Sequence, residues 1–305
     1  MKVPGAGGVH LETLHLPGPS PAIVFVHGGL GSVWNPYPQL HAFDGRRELV
    51  TYSLAGNGES TAPEEQTLQA HVADLHSLVA ELGLEAPLLH GHSYGVAIAL
   101  EYAKRHPIHG LVLHGGADHG MTPAWERALL KLFMALRLYR LPTDKALMRQ
   151  LAERVGVHEA TPRAVIEDFL KTNPTPQRRS AWETVTEAFW GYDGRDDLDR
   201  IEAPALVIHG PADGVVPAGL ARETAERLPR GHFHLLSRTG YRRGWSRYRR
   251  TGASRPRDDR LTLPKPPTRH GLTETTEDDC CLTDTAFGRV TRRRRRRPAG
   301  GRTVG

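Results

Sequence analysis

The sequence has few cysteines and no long apolar run. Its 305 residues include two cysteines, Cys280 and Cys281, and because these are adjacent they indicate neither a disulfide framework nor a metal site. No stretch approaches the roughly 20 apolar residues of a membrane span. Residues 1–8 lack the apolar core of a signal peptide. We therefore expect a cytoplasmic protein that is not anchored in a membrane.

Charge is distributed unevenly along the chain. Residues 241–305 hold 18 Lys and Arg against 7 Asp and Glu, a net charge of +11, whereas residues 1–240 hold 22 against 27, a net charge of −5. Apolar residues make up 39% of the sequence, which is enough for one buried core in a body of about 240 residues. The composition predicts a mildly acidic body followed by a basic tail.

Apolar runs alternate with helical patterns through this body. Continuous apolar runs are typical of central strands in a parallel sheet, and they occur at residues 22–28, 48–54, 87–92, 110–117 and 204–209. Segments with helical periodicity lie between them, at residues 68–82 and 96–105. The alternation predicts an α/β fold with a doubly wound, mostly parallel sheet.

A Gly-x-Ser-x-Gly motif follows one of these runs. It occupies residues 91–95, is centred on Ser93, and leads directly into a helical pattern. A serine at such a strand–turn–helix junction is pushed clear of the sheet with a strained backbone. A Cβ atom at Gly91 or Gly95 would collide with the neighbouring helix or strand. The alternative is a chance match in a glycine-rich chain, and the strand and helix around the motif argue against it.

In this setting the motif resembles the nucleophile elbow of the α/β-hydrolase superfamily, and the resemblance extends from residue 1 to about 240. Residues 27–31, His-Gly-Gly-Leu-Gly, are similar to the family's oxyanion loop, although an ordinary glycine-rich turn is the alternative. The resemblance implies that Ser93 is the nucleophile, with the backbone N–H groups of Gly29 and Tyr94 as oxyanion donors. It implies a small-molecule substrate with an ester, amide or related acyl bond, and neither a metal nor another cofactor.

Two further segments match family patterns. Residues 206–217 end a buried run in a turn similar to Gly-x-x-Asp-x-x-Val-Pro, which makes Asp213 the candidate orienting acid; capping of a helix that begins near Pro217 is the alternative role. Residues 53–60 are similar to the turn Asp-x-x-Gly-x-Gly-x-Ser, with Ser53 in the usual place of aspartate. We interpret this second turn as scaffold.

The strand–helix alternation stops between Asp118 and Asp199, where consecutive helices are predicted instead at residues 123–139, 143–155, 162–171 and 176–190. Such an insertion resembles the superfamily's lid. We therefore predict a core of residues 1–117 and 200–240, a helical lid of residues 118–199 and a tail of residues 241–305. Five lid aromatics either line the substrate pocket or hold the lid together: Trp125, Phe133, Trp182, Phe189 and Trp190.

The sequence departs from the family where the catalytic histidine is expected. After the last predicted strand, residues 232–239, the family pattern is Gly-His, and this chain has Gly240 and Tyr241. Tyrosine has a pKa near 10, so about one molecule in a thousand carries the phenolate at pH 7, and a neutral phenol is a poor proton shuttle. The predicted function is a serine hydrolase, and a catalytically inactive protein of the same fold is the alternative.

The tail leaves three interpretations open. Residues 241–305 lack hydrophobic periodicity and include six consecutive arginines, Arg292 to Arg297, so we expect disorder. The segment is a solvated tail, an arginine-rich arm of a nucleic-acid-associated protein, or the product of a frame shift after a lost base. Nucleic acid is not the partner we expect, and nothing in the sequence indicates an oligomeric state.

Overall fold

One sheet organises the described part of the protein. The structure, a computed structural model, describes residues 1–121, 124–141, 178–211, 213 and 215–236. Within them, eight strands form the sheet: Lys2–Pro4 (β1), His10–Leu16 (β2), Ile23–Val26 (β3), Leu49–Tyr52 (β4), Leu88–His92 (β5), Gly110–His114 (β6), Ala205–His209 (β7) and Gly231–Leu235 (β8).

Six α-helices accompany the strands in the described residues: Tyr37–Phe43 (α1), Leu68–Glu81 (α2), Gly95–Ala103 (α3), Ala124–Ala135 (α4), Arg179–Glu183 (α5) and Ala218–Arg227 (α6). Short 3-10 turns lie at Ala6–Gly8, Leu138–Arg140 and Leu198–Arg200, and a π-helical turn, Thr184–Ala188, continues α5. None of these helices combines the length and apolar content that crossing a membrane requires.

The strand order places the loops after β3 and β5 at the same end of the sheet. The order is β1-β2-β4-β3-β5-β6-β7-β8, in which β2 pairs antiparallel with both β1 and β4, and all the remaining neighbours pair parallel. The chain builds β3 and β4 and then crosses to place β5 on the other side of β3. The loops after β3 and β5 consequently diverge, and the crevice expected between them, at the carboxyl ends of the strands, is the usual ligand position in such sheets.

Both faces of the sheet are packed, which explains the continuous apolar runs. On one face Leu40 and Phe43 of α1 pack on Ile23, Phe25 and Leu49. The opposite face is covered by α2, α3 and α6, whose apolar side chains belong to the main core cluster. The predicted α/β fold with a mostly parallel sheet is confirmed, and α1 and β1 are elements that the periodicity did not reveal.

Helix boundaries follow local signals where these exist. The Thr67 hydroxyl accepts a hydrogen bond from Ala70 N (3.1 Å) and so caps α2, which was predicted at residues 68–82. The predicted helix at 176–190 is instead α5 followed by the π-helical turn. The predicted helices at 143–155 and 162–171 lie outside the described residues, as do Tyr241 and the tail of residues 241–305.

The two ends of the predicted lid segment meet beside the core. His119 pairs with Asp193 in an antiparallel bridge, and Gly194 N donates to the carbonyl of Asp118 (2.7 Å). The buried Asp118 carboxylate accepts from Thr224 Oγ1 (3.0 Å) and Arg227 Nη1 (3.0 Å) of α6. The chain thus leaves the core and returns to it at one point. That residues 118–199 form a helical lid stays a prediction.

Histidines in the interior make the fold sensitive to acid. His27 and His71 are 2% and 1% exposed, and burial lowers the pKa of each from 6.5 to about 4. Burial also lowers the pKa of His114 to about 4 and that of His90 to about 3, although solvent reaches part of both side chains. The unfolded chain therefore binds more protons than the folded chain once the pH falls below 6.5.

We expect the protein to be less stable at pH 5 than at pH 7. The unfolding free energy should fall by on the order of 1 kcal/mol for each of His27 and His71, and the urea midpoint should fall with it. Asp74 opposes this trend, because burial raises its pKa from 3.8 to about 6 and the folded state gains a proton there on acidification. Asp74→Asn should steepen the loss, and equal midpoints at the two pH values would contradict the analysis.

Candidate active site

Ser93 occupies a sharp turn between β5 and α3. Its φ is 53°, in the left-handed region that non-glycine residues rarely adopt. Ser93 N donates to the carbonyl of His114 on β6 (2.9 Å), and Val96 N donates to the carbonyl of Ser93 (2.9 Å), so both sides of the turn are held by backbone hydrogen bonds. This is the strand–turn–helix geometry predicted from the motif.

Close backbone contacts explain the two glycines of the motif. A Cβ atom on Gly91 would lie 2.6 Å from the carbonyl oxygen of Gly95, and one on Gly95 would run into the carbonyl oxygen of Val26 on β3. Real Cβ atoms do not make contacts this short, so the turn is compatible only with glycine at both positions. The predicted collisions with the helix and the neighbouring strand are confirmed.

The glycine-rich loop after β3 lies against this turn. A Cβ atom on Gly28 would come within 2.8 Å of Ser93 Cβ, and one on Gly29 within 2.5 Å of the Tyr94 ring. Tyr94 precedes the first residue of α3, so its N–H belongs to the positive end of that helix. The structure therefore brings together Ser93, Gly29 and Tyr94, the predicted nucleophile and the two predicted oxyanion donors.

His27 fixes the start of the same loop. Its Nδ1 donates to the carbonyl of Gly28 (2.6 Å), and its Nε2 accepts from Leu54 N (2.9 Å), so the hydrogen bonds require a neutral ring with the proton on Nδ1. The low pKa of this buried ring, about 4, keeps it neutral at pH 7. His27 thereby ties the end of β3 to the end of β4 and orients the glycine-rich loop.

Asp213 lies in the turn after β7, at the same edge of the sheet as Ser93. Its Oδ1 accepts from Val215 N (2.8 Å) and Val216 N (2.9 Å), so it caps this turn, whereas α6 begins without a side-chain cap. Burial raises the pKa of the carboxyl above 3.8, and the two N–H groups and His209 lower it. Oδ2 is buried and has no hydrogen-bond partner among the described residues.

A comparison with known families agrees with this geometry. The sequence model of the α/β hydrolase fold family matches residues 21–241, which is most of the chain. The chain belongs to the α/β hydrolase fold family. The match ends at Tyr241, close to residue 240, where the sequence pattern departs from the family.

Relatives of this α/β hydrolase include enzymes of several kinds. It is 30% identical over 260 residues to the 2-hydroxy-6-oxononadienedioate/2-hydroxy-6-oxononatrienedioate hydrolase of Paraburkholderia phymatum, with 79% of this chain and 83% of that protein covered. It is 26% identical over 256 residues to the proline iminopeptidase of Lactobacillus helveticus, covering 72% and 83%. A thermophilic esterase from Thermogutta terrifontis has a similar structure, with a TM-score of 0.69, 20% identity, and 81% and 93% covered.

One aromatic side chain of the segment that returns to the core packs on the elbow of this hydrolase. Phe189, 1% exposed, stacks on Tyr94 with ring centroids 5.0 Å apart, and on His71 at 5.9 Å. Trp182 instead packs on Phe133 at 4.6 Å, an arrangement that holds helices together. Phe189 thus packs on the residue that follows the predicted nucleophile, and a substrate pocket lined by the lid aromatics stays a prediction.

Glu12 supplies a carboxylate where the family pattern has aspartate at position 53. Ser53 Oγ donates to Glu12 Oε2 (2.7 Å) and accepts from Val33 N (2.9 Å), while Glu59 N also donates to Glu12 Oε2 (2.9 Å). Through Ser53 the strand β2 therefore supports the segment that follows the glycine-rich loop. This partnership joins residues far apart in sequence, and the turn motif alone did not indicate it.

His209 is a site residue that the sequence reasoning missed. It ends β7, its side chain is fully buried, and its Nε2 lies 3.7 Å from Asp213 Oδ2. A signal was present, because His209-Gly210 repeats at the end of β7 the His-Gly pair that ends β3.

The described residues contain no group of three or more His, Cys, Asp or Glu side chains arranged to hold a metal ion.

We expect Gly95→Ala to destabilise the hydrolase by about 1–3 kcal/mol or more, because the added methyl meets backbone that cannot move aside. Gly219→Ala in α6 is the matched control: a Cβ atom there meets nothing within 4 Å, so this variant should gain about 0.5–1 kcal/mol. Urea denaturation of the two variants measures the difference, and equal midpoints would contradict the proposed collision.

Glu12→Ala should cost about 1–3 kcal/mol, because it leaves two donors without an acceptor. Adding Ser53→Asp to Glu12→Ala should recover part of this loss, since the new carboxylate takes the place of the missing one. Ser53→Asp alone should destabilise, because it places two carboxylates together. A double-mutant cycle in urea tests the coupling, and additive effects would count against it.

Proposed function

We propose that this chain is a serine hydrolase that cleaves a small-molecule ester, amide or related acyl bond, with Ser93 as the nucleophile. The observation that carries the proposal is the left-handed backbone of Ser93, φ 53°, with the Gly28–Gly29 loop in contact with the turn. A serine in such a turn projects from the end of the sheet toward the expected crevice, and the close packing around Ser93 leaves it 6% exposed.

In the proposed reaction Ser93 Oγ attacks the acyl carbon, and the developing oxyanion accepts hydrogen bonds from the N–H groups of Gly29 and Tyr94. Backbone donors fixed before the reaction need no reorganisation, and losing one such donor costs about 10²–10³ in rate. Collapse of the tetrahedral intermediate breaks the bond to the alcohol or amine, which leaves, and the acyl group remains on Ser93. Water then attacks the acyl-enzyme in the same way, which releases the acid and restores the Ser93 hydroxyl. The contact of Gly29 with the Tyr94 ring supports this assignment.

Asp213 has the features of the orienting acid. Two backbone N–H groups fix Oδ1, and Oδ2 is left as a buried acceptor that suits an imidazole N–H. The sequence supplies Tyr241 in place of that imidazole. The Ser93 proton must therefore pass to water or to a weak base, so this chain should be slow wherever the leaving group needs a proton.

The substrate class is inferred from the surroundings of the elbow and from the relatives. Phe189 stacks on Tyr94, the residue that follows Ser93, and apolar surroundings of this kind suit a small apolar acyl group. The relatives named above include an iminopeptidase and a dienedioate hydrolase. In this proposal residues 118–199 form the lid that sets the choice among such substrates.

The test is turnover of p-nitrophenyl acetate, whose leaving group departs as a phenolate and needs no proton donor. We expect slow hydrolysis above the buffer rate that falls to the buffer rate in Ser93→Ala. Tyr241→His should raise the Ser93-dependent rate by roughly 10²–10⁴, the usual contribution of a general base.

Three outcomes separate the possibilities. Ser93-dependent turnover by the unmodified chain supports the proposal. Turnover only in Tyr241→His would assign the chain to the inactive alternative while preserving the role of Ser93. Equal rates in all variants, each shown to be folded by circular dichroism, would overturn the serine mechanism.

A further inference from the structure

Two strands of the sheet end in the same dipeptide with the same local geometry. His27 donates from Nδ1 to the carbonyl of Gly28 (2.6 Å), and His209 Nδ1 lies 3.0 Å from the carbonyl of Gly210. A carbonyl oxygen can only accept, so Nδ1 carries a proton in both rings. The two histidines differ in what the second ring nitrogen meets.

At His27 the second nitrogen meets a donor, the N–H of Leu54 at 2.9 Å, and a neutral ring satisfies every contact. At His209 it meets Asp213 Oδ2 at 3.7 Å, and the side chains of both residues are fully buried. Neither His209 Nε2 nor Asp213 Oδ2 has a hydrogen-bond partner among the described residues. A neutral imidazole and an ionised carboxylate would therefore face each other as two acceptors.

Two buried acceptors left unsatisfied are costly, at about 1–3 kcal/mol each. A single proton between them removes both costs, because the approach needed to form a hydrogen bond from 3.7 Å is small. The carboxylate already receives two backbone N–H bonds on Oδ1, which favour its ionised form. Burial raises the pKa of the carboxyl, and His209 is among the groups that lower it. A proton on Nε2 keeps both hydrogen bonds to Oδ1 and gives Oδ2 a donor.

We propose that His209 is the positioning residue of Asp213, with one proton on each ring nitrogen and Nε2–H donated to Asp213 Oδ2. The assignment of Asp213 as the orienting acid rests on the proposed function, whereas the ion pair itself does not. In a chain with tyrosine at position 241, His209 keeps the acid ionised and fixes its orientation.

The groups around the pair leave this assignment intact. On β6, His114 acts on His209 electrostatically and is neutral at pH 7, because its pKa is about 4. Directly after β8, Leu236 N donates to the His209 carbonyl (2.8 Å). On α6, Arg222 stacks on Phe233, and Arg227 binds Asp118 and Glu223.

The experiment is a long-range ¹H–¹⁵N correlation spectrum of the full chain labelled on histidine, recorded at pH 7. The resonance of His209 is assigned by its disappearance in His209→Gln. We expect protons on both ring nitrogens of His209 in the unmodified chain, and on Nδ1 alone in Asp213→Asn. His27 is the internal control, with Nδ1 protonated and Nε2 bare in both samples.

Tyr241→Phe is the matched control for the competing donor. If His209 is the partner of Asp213, removing the phenol leaves the His209 signals unchanged. A bare Nε2 on His209 in the unmodified chain, protonation that Asp213→Asn leaves unchanged, or a dependence on Tyr241 would each overturn the proposal. Because none of these readouts requires turnover, failure of the ester assay and failure of the ion pair are distinguishable.

Stability gives a second readout that a simple packing role would not produce. His209→Leu leaves an ionised Asp213 buried without its proposed partner, and this raises the folded-state pKa of the carboxyl further. The variant therefore loses stability as the pH rises. The folding equilibrium constant should fall at least tenfold more at pH 7 than at pH 4. His209→Gln keeps a donor and should restore most of this loss, and a pH-independent effect of His209→Leu would contradict the proposal.

Discussion

The close approach of α3 to the end of β3 is the contact on which the site depends. Gly95 sits against the carbonyl of Val26, and this proximity brings the N-terminus of the helix to the edge of the central strand. The turn that precedes the helix must then be tight, which forces Ser93 into the left-handed region. The same approach sets the distance between the elbow and the Gly28–Gly29 loop.

Polar groups buried at the strand ends hold this arrangement in place. His27 links two strands through a fixed tautomer, and Glu12 acts through Ser53 on the segment that follows the glycine-rich loop. Since each of these links ends on a backbone group, it fixes the course of the loop without restricting the side chains that face the crevice. The scaffold can therefore remain constant while the substrate-facing surface changes.

The sequence predicted those parts of the fold that depend on local chemistry. The strand runs, α2 and the glycines of the elbow have short-range causes: apolar continuity, the Thr67 cap and steric exclusion of Cβ at Gly91 and Gly95. The contact of the glycine-rich loop with the elbow was also anticipated, but only through the resemblance to the family's oxyanion loop.

Features created by contacts between distant residues were not predictable. The partnership of Glu12 with Ser53 spans 41 positions, and nothing in the turn motif indicates which strand supplies the carboxylate. His209 was not predicted, because its approach to Asp213 depends on the course of the turn that follows β7. Helix α1 is short and begins beside Pro36, and the π-helical turn at Thr184–Ala188 has no recognised sequence pattern.

The two ends of the predicted lid segment lie side by side, because residues 118–119 contact residues 193–194. Because the chain departs from the sheet and rejoins it through adjacent backbone, the strands do not constrain the length of what lies between. Inserted segments of different length can replace one another between residues 119 and 193 while the elbow keeps its geometry. A fold built in this way can acquire new selectivity by replacement of one continuous block of the gene.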